Sequence, residues 1–227
     1  MKKITIIPAR SGSKGLKNKN ILDLEGIPMF AWSIIHSKYY SNNNDLIIVS
    51  SDSDNYLSIA KEFGAIAHKR PEILAKDQTF TEPVMEDVLK NYEVISDDIL
   101  ILMQPTSPIR KKSTIDKFIN ALENEKCDSV LTVMKYHGFH WKNKGEYKTP
   151  LYKNRPRKQD MEKIYAETGS MYGTKYINFI NTKNRVSGKV KGIEVNFEES
   201  LQVDTLEEFN VIKSYFKTTI TEWKGYF

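Results

Sequence analysis

Four short runs of apolar, mostly β-branched residues punctuate the chain: Lys3-Ile4-Thr5-Ile6-Ile7, Asp45-Leu46-Ile47-Ile48-Val49-Ser50, Asp98-Ile99-Leu100-Ile101-Leu102-Met103 and Ser129-Val130-Leu131-Thr132-Val133-Met134. None alternates strictly with polar residues, which is the pattern of strands covered on both faces rather than on one. Segments of helical period lie between them: residues 28–38, where Pro28 suits a first turn, 55–63 closed by Gly64, 82–92 and 113–124. Strand alternating with helix predicts an α/β fold built on a mostly parallel, doubly wound sheet.

The pattern changes after Met134. Residues 135–165 are rich in Lys, Tyr, His, Gly and Pro and hold no apolar period, so they read as an excursion from the core, an arm or a lid. Periodicity returns with a strand at 170–173, another at 189–195 and a last helix from about 205 to 216. The expected organisation is one domain over residues 1–227 with 135–165 as an inserted extension.

With 40% apolar and 28% charged residues, 227 residues suffice for one α/β domain and exclude disorder. No apolar stretch nears the roughly 18 residues of a membrane span, and the run after Lys3 is too short for a signal peptide. A cytoplasmic protein without a membrane partner is expected. The single cysteine, Cys127, can close no internal disulfide.

The formal charge of +5 is unevenly spread. Residues 142–163 carry eight basic and three acidic side chains, residues 10–19 four basic and none acidic, and the remainder is net −4. Two separated positive sites on an otherwise acidic chain suit small anionic ligands better than a nucleic-acid surface.

The first of these sites is the loop Arg10-Ser11-Gly12-Ser13-Lys14-Gly15-Leu16-Lys17-Asn18-Lys19-Asn20, directly after the first strand, where open parallel sheets bind ligands. Its glycines let backbone N–H groups turn inward around an anion while the cationic side chains neutralise a polyphosphate. It lacks Walker spacing and does not open as G-x-G-x-x-G into a helix, which weakens ATPase and dinucleotide readings.

Ile7-Pro8-Ala9-Arg10-Ser11-Gly12-Ser13-Lys14-Gly15-Leu16 followed by Lys19-Asn20 resembles the signature of the acylneuraminate cytidylyltransferases, I-P-A-R-G-G-S-K-G followed by K-N, with Ser11 in place of one glycine. The S-T-R of the related Kdo-activating enzyme is absent. Later blocks resemble that family in order: Val49-Ser50-Ser51-Asp52-Ser53-Asp54, Arg70-Pro71-Glu72 with Leu74-Ala75, Asp77 and Thr79, and Leu102-Met103-Gln104-Pro105-Thr106-Ser107-Pro108-Ile109-Arg110. The fold implied is that of the nucleotide-diphospho-sugar transferases, with a dimerisation arm.

The resemblance implies attack by the anomeric hydroxyl of a nine-carbon 2-keto acid sugar on the α-phosphate of CTP, with release of pyrophosphate, in making lipopolysaccharide or capsule glycans. It implies catalysis by Arg10, Lys14 and Asp204. Nucleotide binding would fall to Arg10, Ser11, Gly12, Ser13, Lys14, Lys19, Asn20, Thr79 and Thr81, although Phe80 makes the last two a loose match. Gln104 falls on a sugar-contacting position, and two prolines hold Gln104, Thr106 and Ser107 where polar groups can face a ligand. Arg157, with Arg155 and Lys158, offers donors to the sugar carboxylate, and an ordinary solvated basic face is the plain alternative. The family's N-G-A-x-Y becomes Thr168-Gly169-Ser170-Met171-Tyr172, and its D-I-D becomes Gln202-Val203-Asp204, so Thr168 and Tyr172 are expected at the sugar. Asp204 then leads as the magnesium or manganese ligand, with Gln202 a weak helper. A helix-capping role is the plain alternative for Asp204. The resemblance also implies a homodimer formed through the extension, whose Tyr136, Phe139, Trp141, Tyr147 and Tyr152 form an aromatic patch.

Two alternatives stay open. Asp52-Ser53-Asp54 is a D-x-D, the mark of metal-dependent glycosyltransferases, though its place before a helical run suits capping. Thr168 and Gln202 also leave room for a nucleotide-binding protein without turnover. His137 and His140 lack a third ligand and read as surface of the extension rather than a zinc site.

Overall fold

A computed structural model describes residues 1–12, 15–136 and 138–227. The first apolar run is β1 (Lys3–Pro8), and beyond the cationic loop a small ribbon, β2 (Asp23–Leu24) with β3 (Ile27–Pro28), leads into α1 (Ala31–Tyr40). The alternation continues with β4 (Leu46–Ser51), α2 (Asp54–Glu62), β5 (Ile66–Lys69), α3 (Thr81–Leu89), β6 (Ile99–Met103), α4 (Lys112–Asn124) and β7 (Ser129–Tyr136). The extension contains the hairpin β8 (Trp141–Lys144) and β9 (Tyr147–Pro150), and β10 (Ile164–Lys175) then returns to the sheet. α5 (Tyr176–Thr182), β11 (Val190–Glu194) and α6 (Leu206–Thr219) complete the chain's regular structure.

Among the described residues, seven strands form one sheet in the order β11-β7-β10-β6-β1-β4-β5. β1 pairs in parallel with β4 and β6, β4 with β5, and β11 with β7, while β10 runs antiparallel between β6 and β7. Alternate residues of each strand reach opposite faces. Ile7, Val49, Ile101 and Met103 face a core with Trp32 of α1, Tyr56 of α2, Phe118 of α4 and Phe216 of α6. Ile4, Ile6, Ile48 and Leu102 face Met85 and Val88 of α3 and Phe179 of α5. Helices therefore cover both faces, as the unbroken apolar runs require.

β10 is far longer than residues 170–173. Its first part pairs with β7 up to Tyr136, and the register shifts between Glu167 and Tyr172. The shift is made at Gly169, whose φ of 72° suits glycine and where a Cβ would collide with the Gln202 side chain. In the hairpin, Gly145 at φ 68° opens a two-residue turn between Lys144 and Tyr147.

The larger core holds a titratable group. His36 is fully buried between Trp32 and Trp223, and burial, then the Arg110 charge, keep its pKa well below the ordinary 6.5. In the unfolded chain this imidazole gains a proton below about pH 6.5, whereas in the folded chain it stays neutral, so the unfolded state binds more protons as pH falls. Stability is thus complete above that pH and drops by about 1.4 kcal/mol per pH unit below it. Urea unfolding between about pH 7.5 and pH 5.5 should show this slope, and His36→Phe should flatten it by one proton's worth. Equal slopes in both proteins would contradict this placement of His36.

Candidate functional site

β1 and β6 are neighbours in the middle of the sheet, and open α/β sheets bind ligands at the carboxyl ends of such strands. A cleft of about 340 Å³ lies there. Five segments build it: the cationic loop through Arg10, Gly15, Lys19 and Asn20; Arg70 just after β5; residues 74–84 leading into α3; Gln104 to Thr106 after β6; and Asp204 before α6.

The loop is fastened from outside the cleft. Ser11 donates both its backbone N–H and its hydroxyl to the Asp52 carboxylate, at 2.8 and 2.7 Å. Burial pushes the Asp52 pKa up, but these hydrogen bonds outweigh it and hold the carboxyl below its ordinary value. Ser53 accepts from the Tyr56 N–H and so caps α2, while Asp54 pairs with Lys69. The D-x-D residues therefore anchor the loop and a helix, and none of them lines the cleft.

Two ion pairs line the cleft. Lys19 Nζ lies 2.7 Å from Asp204 Oδ1 and 3.0 Å from the Val203 carbonyl, and Arg10 pairs with Asp77. Gly15 passes so near that a Cβ would stand 2.6 Å from the Asp204 carbonyl oxygen, so this approach requires glycine. Asn20 is buried and donates through Nδ2 to the Arg10 carbonyl at 2.9 Å, which leaves its Oδ1 without a partner. A buried acceptor with no protein donor, on the wall of a cleft, is a place for a ligand hydroxyl or N–H. Thr79 and Thr81 line the cleft with Leu74, Phe80 and Val84.

Gln104 is held by main-chain contacts. Its N–H donates to Ser170 O at 3.1 Å, and its carbonyl accepts from Arg110 Nη2 at 2.7 Å. Arg110 also donates to Ser170 O and to Ser33 Oγ. Its own carbonyl accepts from Trp223 Nε1 at 3.1 Å. Burial lowers the Arg110 pKa to about 9, and the neighbouring Tyr40 and Glu199 oppose that shift. The rigid turn fixes where the Gln104 and Thr106 side chains meet the cleft.

Arg10, Lys19, Asn20, Thr79, Thr81, Gln104, Thr106 and Asp204 thus come together from the residues singled out in the sequence. Gly12 is described with open space around it, and Ser13 and Lys14 lie outside the described residues. The other candidates stand apart. Ser107 is fully buried and its hydroxyl has no partner. Thr168 is buried against Thr132, with 2.7 Å between their hydroxyls. Tyr172 packs under α3, donates to Glu167 at 3.0 Å and carries the Arg185 guanidinium 4.6 Å over its ring. Gln202 donates its amide to the Thr168 carbonyl and so turns away from the cleft. Arg157 is exposed on the extension and paired with Asp160.

Capping does not account for Asp204. Thr205 is the N-cap of α6 and makes a complete capping box with Glu208, whose carboxylate also accepts from the Asp204 N–H at 2.7 Å. The Asp204 side chain is 69% exposed and free of that role. Among the described residues no group of three or more His, Cys, Asp or Glu side chains could hold a metal by itself. His137 lies outside the described residues, and the His140 ring lies tilted against Tyr136, 4.7 Å between centroids.

Sequence reasoning passed over Arg70, Lys76 and Asp77 as site residues. Arg70 sits 4% exposed yet lines the cleft, and burial lowers its pKa to about 10. An arginine before a proline reads as a turn, and only its place in the third family-like block signalled more.

The family model described as cytidylyltransferase matches residues 4–225. The chain is 32% identical over 225 residues to an N-acylneuraminate cytidylyltransferase of Streptococcus agalactiae serotype V, covering 92% of this chain and 52% of that protein. It is 30% identical over 210 residues to a Helicobacter pylori protein named pseudaminic acid cytidylyltransferase and UDP-2,4-diacetamido-2,4,6-trideoxy-beta-L-altropyranose hydrolase, covering 86% of this chain and 40% of that one. The chain spans about half the length of the curated relatives it matches. Its fold is shared with a CMP:2-keto-3-deoxy-manno-octonic acid synthetase complexed with CTP, at TM-score 0.65 and 15% identity over 96% of this chain and 99% of that one. It is shared equally with a 4-diphosphocytidyl-2C-methyl-D-erythritol synthase of Anaerococcus prevotii, also at TM-score 0.65 and 15% identity, over 95% and 99% of the two chains.

Proposed function

We propose, because the chain belongs to the cytidylyltransferase family, that its cleft binds CTP and transfers CMP to the anomeric hydroxyl of a sialic-acid-like nonulosonic acid for surface glycan synthesis. The carrying observation is the cleft's lining: cationic Arg10, Lys19 and Arg70 and the unpartnered Asn20 acceptor stand in one cleft with apolar Leu74, Phe80 and Val84. The cations suit a triphosphate and the apolar side chains suit a base. The named sialic- and pseudaminic-acid relatives support the sugar class.

In the reaction the hydroxyl oxygen forms a bond to the α-phosphorus while the bond to the bridging oxygen breaks, and that electron pair leaves with pyrophosphate. Arg10 and Lys19 hold the phosphates in line and neutralise the charge that grows on the leaving group. Asp204 Oδ2 takes the hydroxyl proton. Gln104 and Thr106 orient the sugar from the β6 side.

Asp204 is an exposed cleft carboxylate, and a carboxylate with phosphate oxygens is a donor set that suits magnesium or manganese. Asp204 would hold such an ion, which supplies Lewis-acid charge to the phosphoryl oxygens. The test is pyrophosphate release from CTP with mass-spectrometric detection of CMP-sugar. Release is expected only when a nonulosonic acid is present, and no release across a panel of such acids would defeat the proposal.

The extension supports a homodimer. Trp141, Tyr147, Leu151 and Tyr136 are exposed on it although they are large and apolar. Arg157 lies outside the cleft of its own chain, so its proposed contact with the sugar carboxylate requires the arm of a second copy. Light scattering should give twice the chain mass, and a Trp141→Lys/Tyr147→Lys protein should give one chain mass. A wild-type monomer would contradict the dimer.

A further inference from the structure

Arg70 enters the cleft from a row of polar groups that spans three elements. Ser50 is the last residue but one of β4 and faces His68 of β5 in register. Arg70 Nε lies 3.2 Å from Ser50 Oγ, and Arg70 Nη2 lies 2.7 Å from the Ser50 carbonyl, which also accepts the Ala9 N–H at the start of the cationic loop. Ser50 Oγ is 3.2 Å from His68 Nδ1, and His68 Nε2 is 3.5 Å from Asp87 Oδ2 on α3. Ser, His and Asp in a row resemble a nucleophile relay, but Ser50 is fully buried and its oxygen already accepts from a guanidinium, so it cannot reach a substrate.

The donors and acceptors leave one consistent direction. A guanidinium N–H only donates, so Ser50 Oγ accepts from Arg70; the Asp87 carboxylate only accepts, so the proton of the neutral imidazole sits on Nε2 toward it. Nδ1 is then bare and accepts the Ser50 hydroxyl proton. Burial first, then the Arg70 charge, hold the His68 pKa below its ordinary value against the pull of Asp87, which keeps the ring neutral. Among the described residues Arg70 Nη1 has no protein acceptor, although Nε and Nη2 are both engaged.

We propose that Ser50, His68 and Asp87 are positioning residues that hold the Arg70 guanidinium in the cleft with its remaining edge turned to the bound nucleotide. This rests on the reading of the cleft as a CTP site. The relay joins the start of the cationic loop, the helix bearing Thr81 and the cleft guanidinium, so nucleotide affinity depends on side chains that never touch the nucleotide.

The test has two readouts. In 15N-labelled wild-type protein the His68 side-chain spectrum should show the Nε2–H tautomer, and the Nδ1 signal should move in Ser50→Ala. Isothermal titration with CTP should show Ser50→Ala and His68→Phe binding about tenfold more weakly, the loss expected for one charge-assisted hydrogen bond. His68→Asn, whose amide oxygen can stand where Nδ1 stands, should recover most of the affinity. Ser50→Ala should weaken an Arg70→Lys protein little further, since both act through one group. An Nδ1–H tautomer in the wild type overturns the relay whatever the protein binds. Equal CTP affinity in wild type and variants overturns the relay alone, whereas a wild type that takes up no CTP overturns the cleft reading and Arg70's nucleotide role with it.

Discussion

Replacing Lys19 by methionine should lower kcat for pyrophosphate release about 100-fold, the usual loss when one preorganised charge facing the developing anion is removed. The Lys19 side chain is only 15% exposed, so its ammonium acts in a partly dry setting where charge is weakly screened. The leaving pyrophosphate gains negative charge as the bridging bond breaks, so the loss should fall mainly on kcat and less on KM. Stability should barely change, because the partner carboxylate of Asp204 is largely exposed and such pairs contribute at most about 1 kcal/mol. Lys19→Arg should keep part of the rate. Kinetics within about threefold of wild type for Lys19→Met would remove this ammonium from the chemistry.

Asp204→Asn should cost a similar factor, about 100-fold in kcat, because the carboxylate has two proposed tasks at the reacting centre, proton acceptance and cation binding. The neutral amide performs both poorly. Its magnesium requirement should rise, so the concentration giving half-maximal rate separates the cation role from the proton role. The fold should be untouched, since Thr205 and Glu208 cap α6 without the Asp204 side chain. A purely structural Asp204 would give the reverse, a lowered thermal midpoint with normal turnover. The Lys19→Met/Asp204→Asn double variant should fall well short of the product of the two losses, because the side chains touch at 2.7 Å and act on the same phosphates.

What could be read in the sequence follows from how each element is covered. β1, β4, β6 and β7 are enclosed on both faces and therefore appear as continuous apolar runs. β5, Ile-Ala-His-Lys at an edge of the sheet, has no such run and went unpredicted, as did α5, whose Asn-rich turns carry a single buried residue, Phe179. The start of β10 is exposed from Ile164 to Glu167, so no apolar signal marks it. Its antiparallel insertion between β6 and β7 depends on pairing, which periodicity does not encode.

The cationic loop and Gln104-Pro105-Thr106 were legible because glycine, lysine and proline have backbone or charge consequences wherever they stand. Tyr172 and Thr168 were expected at the sugar from a motif, yet strand alternation and the Gly169 bulge turn one under α3 and the other against Thr132. Arg70 required the fold, since its role comes from Ser50, twenty residues earlier in the sequence and beside it across the sheet.

The central claim is that the glycine-interrupted loop and its facing walls seat a nucleoside triphosphate. A crystal structure of the protein soaked with CTP tests it most directly. The phosphates are predicted between Arg10 and Lys19, with a ligand donor on Asn20 Oδ1 and the base against Leu74, Phe80 and Val84. CTP bound at another surface, or a cleft left empty at saturating CTP, would contradict it.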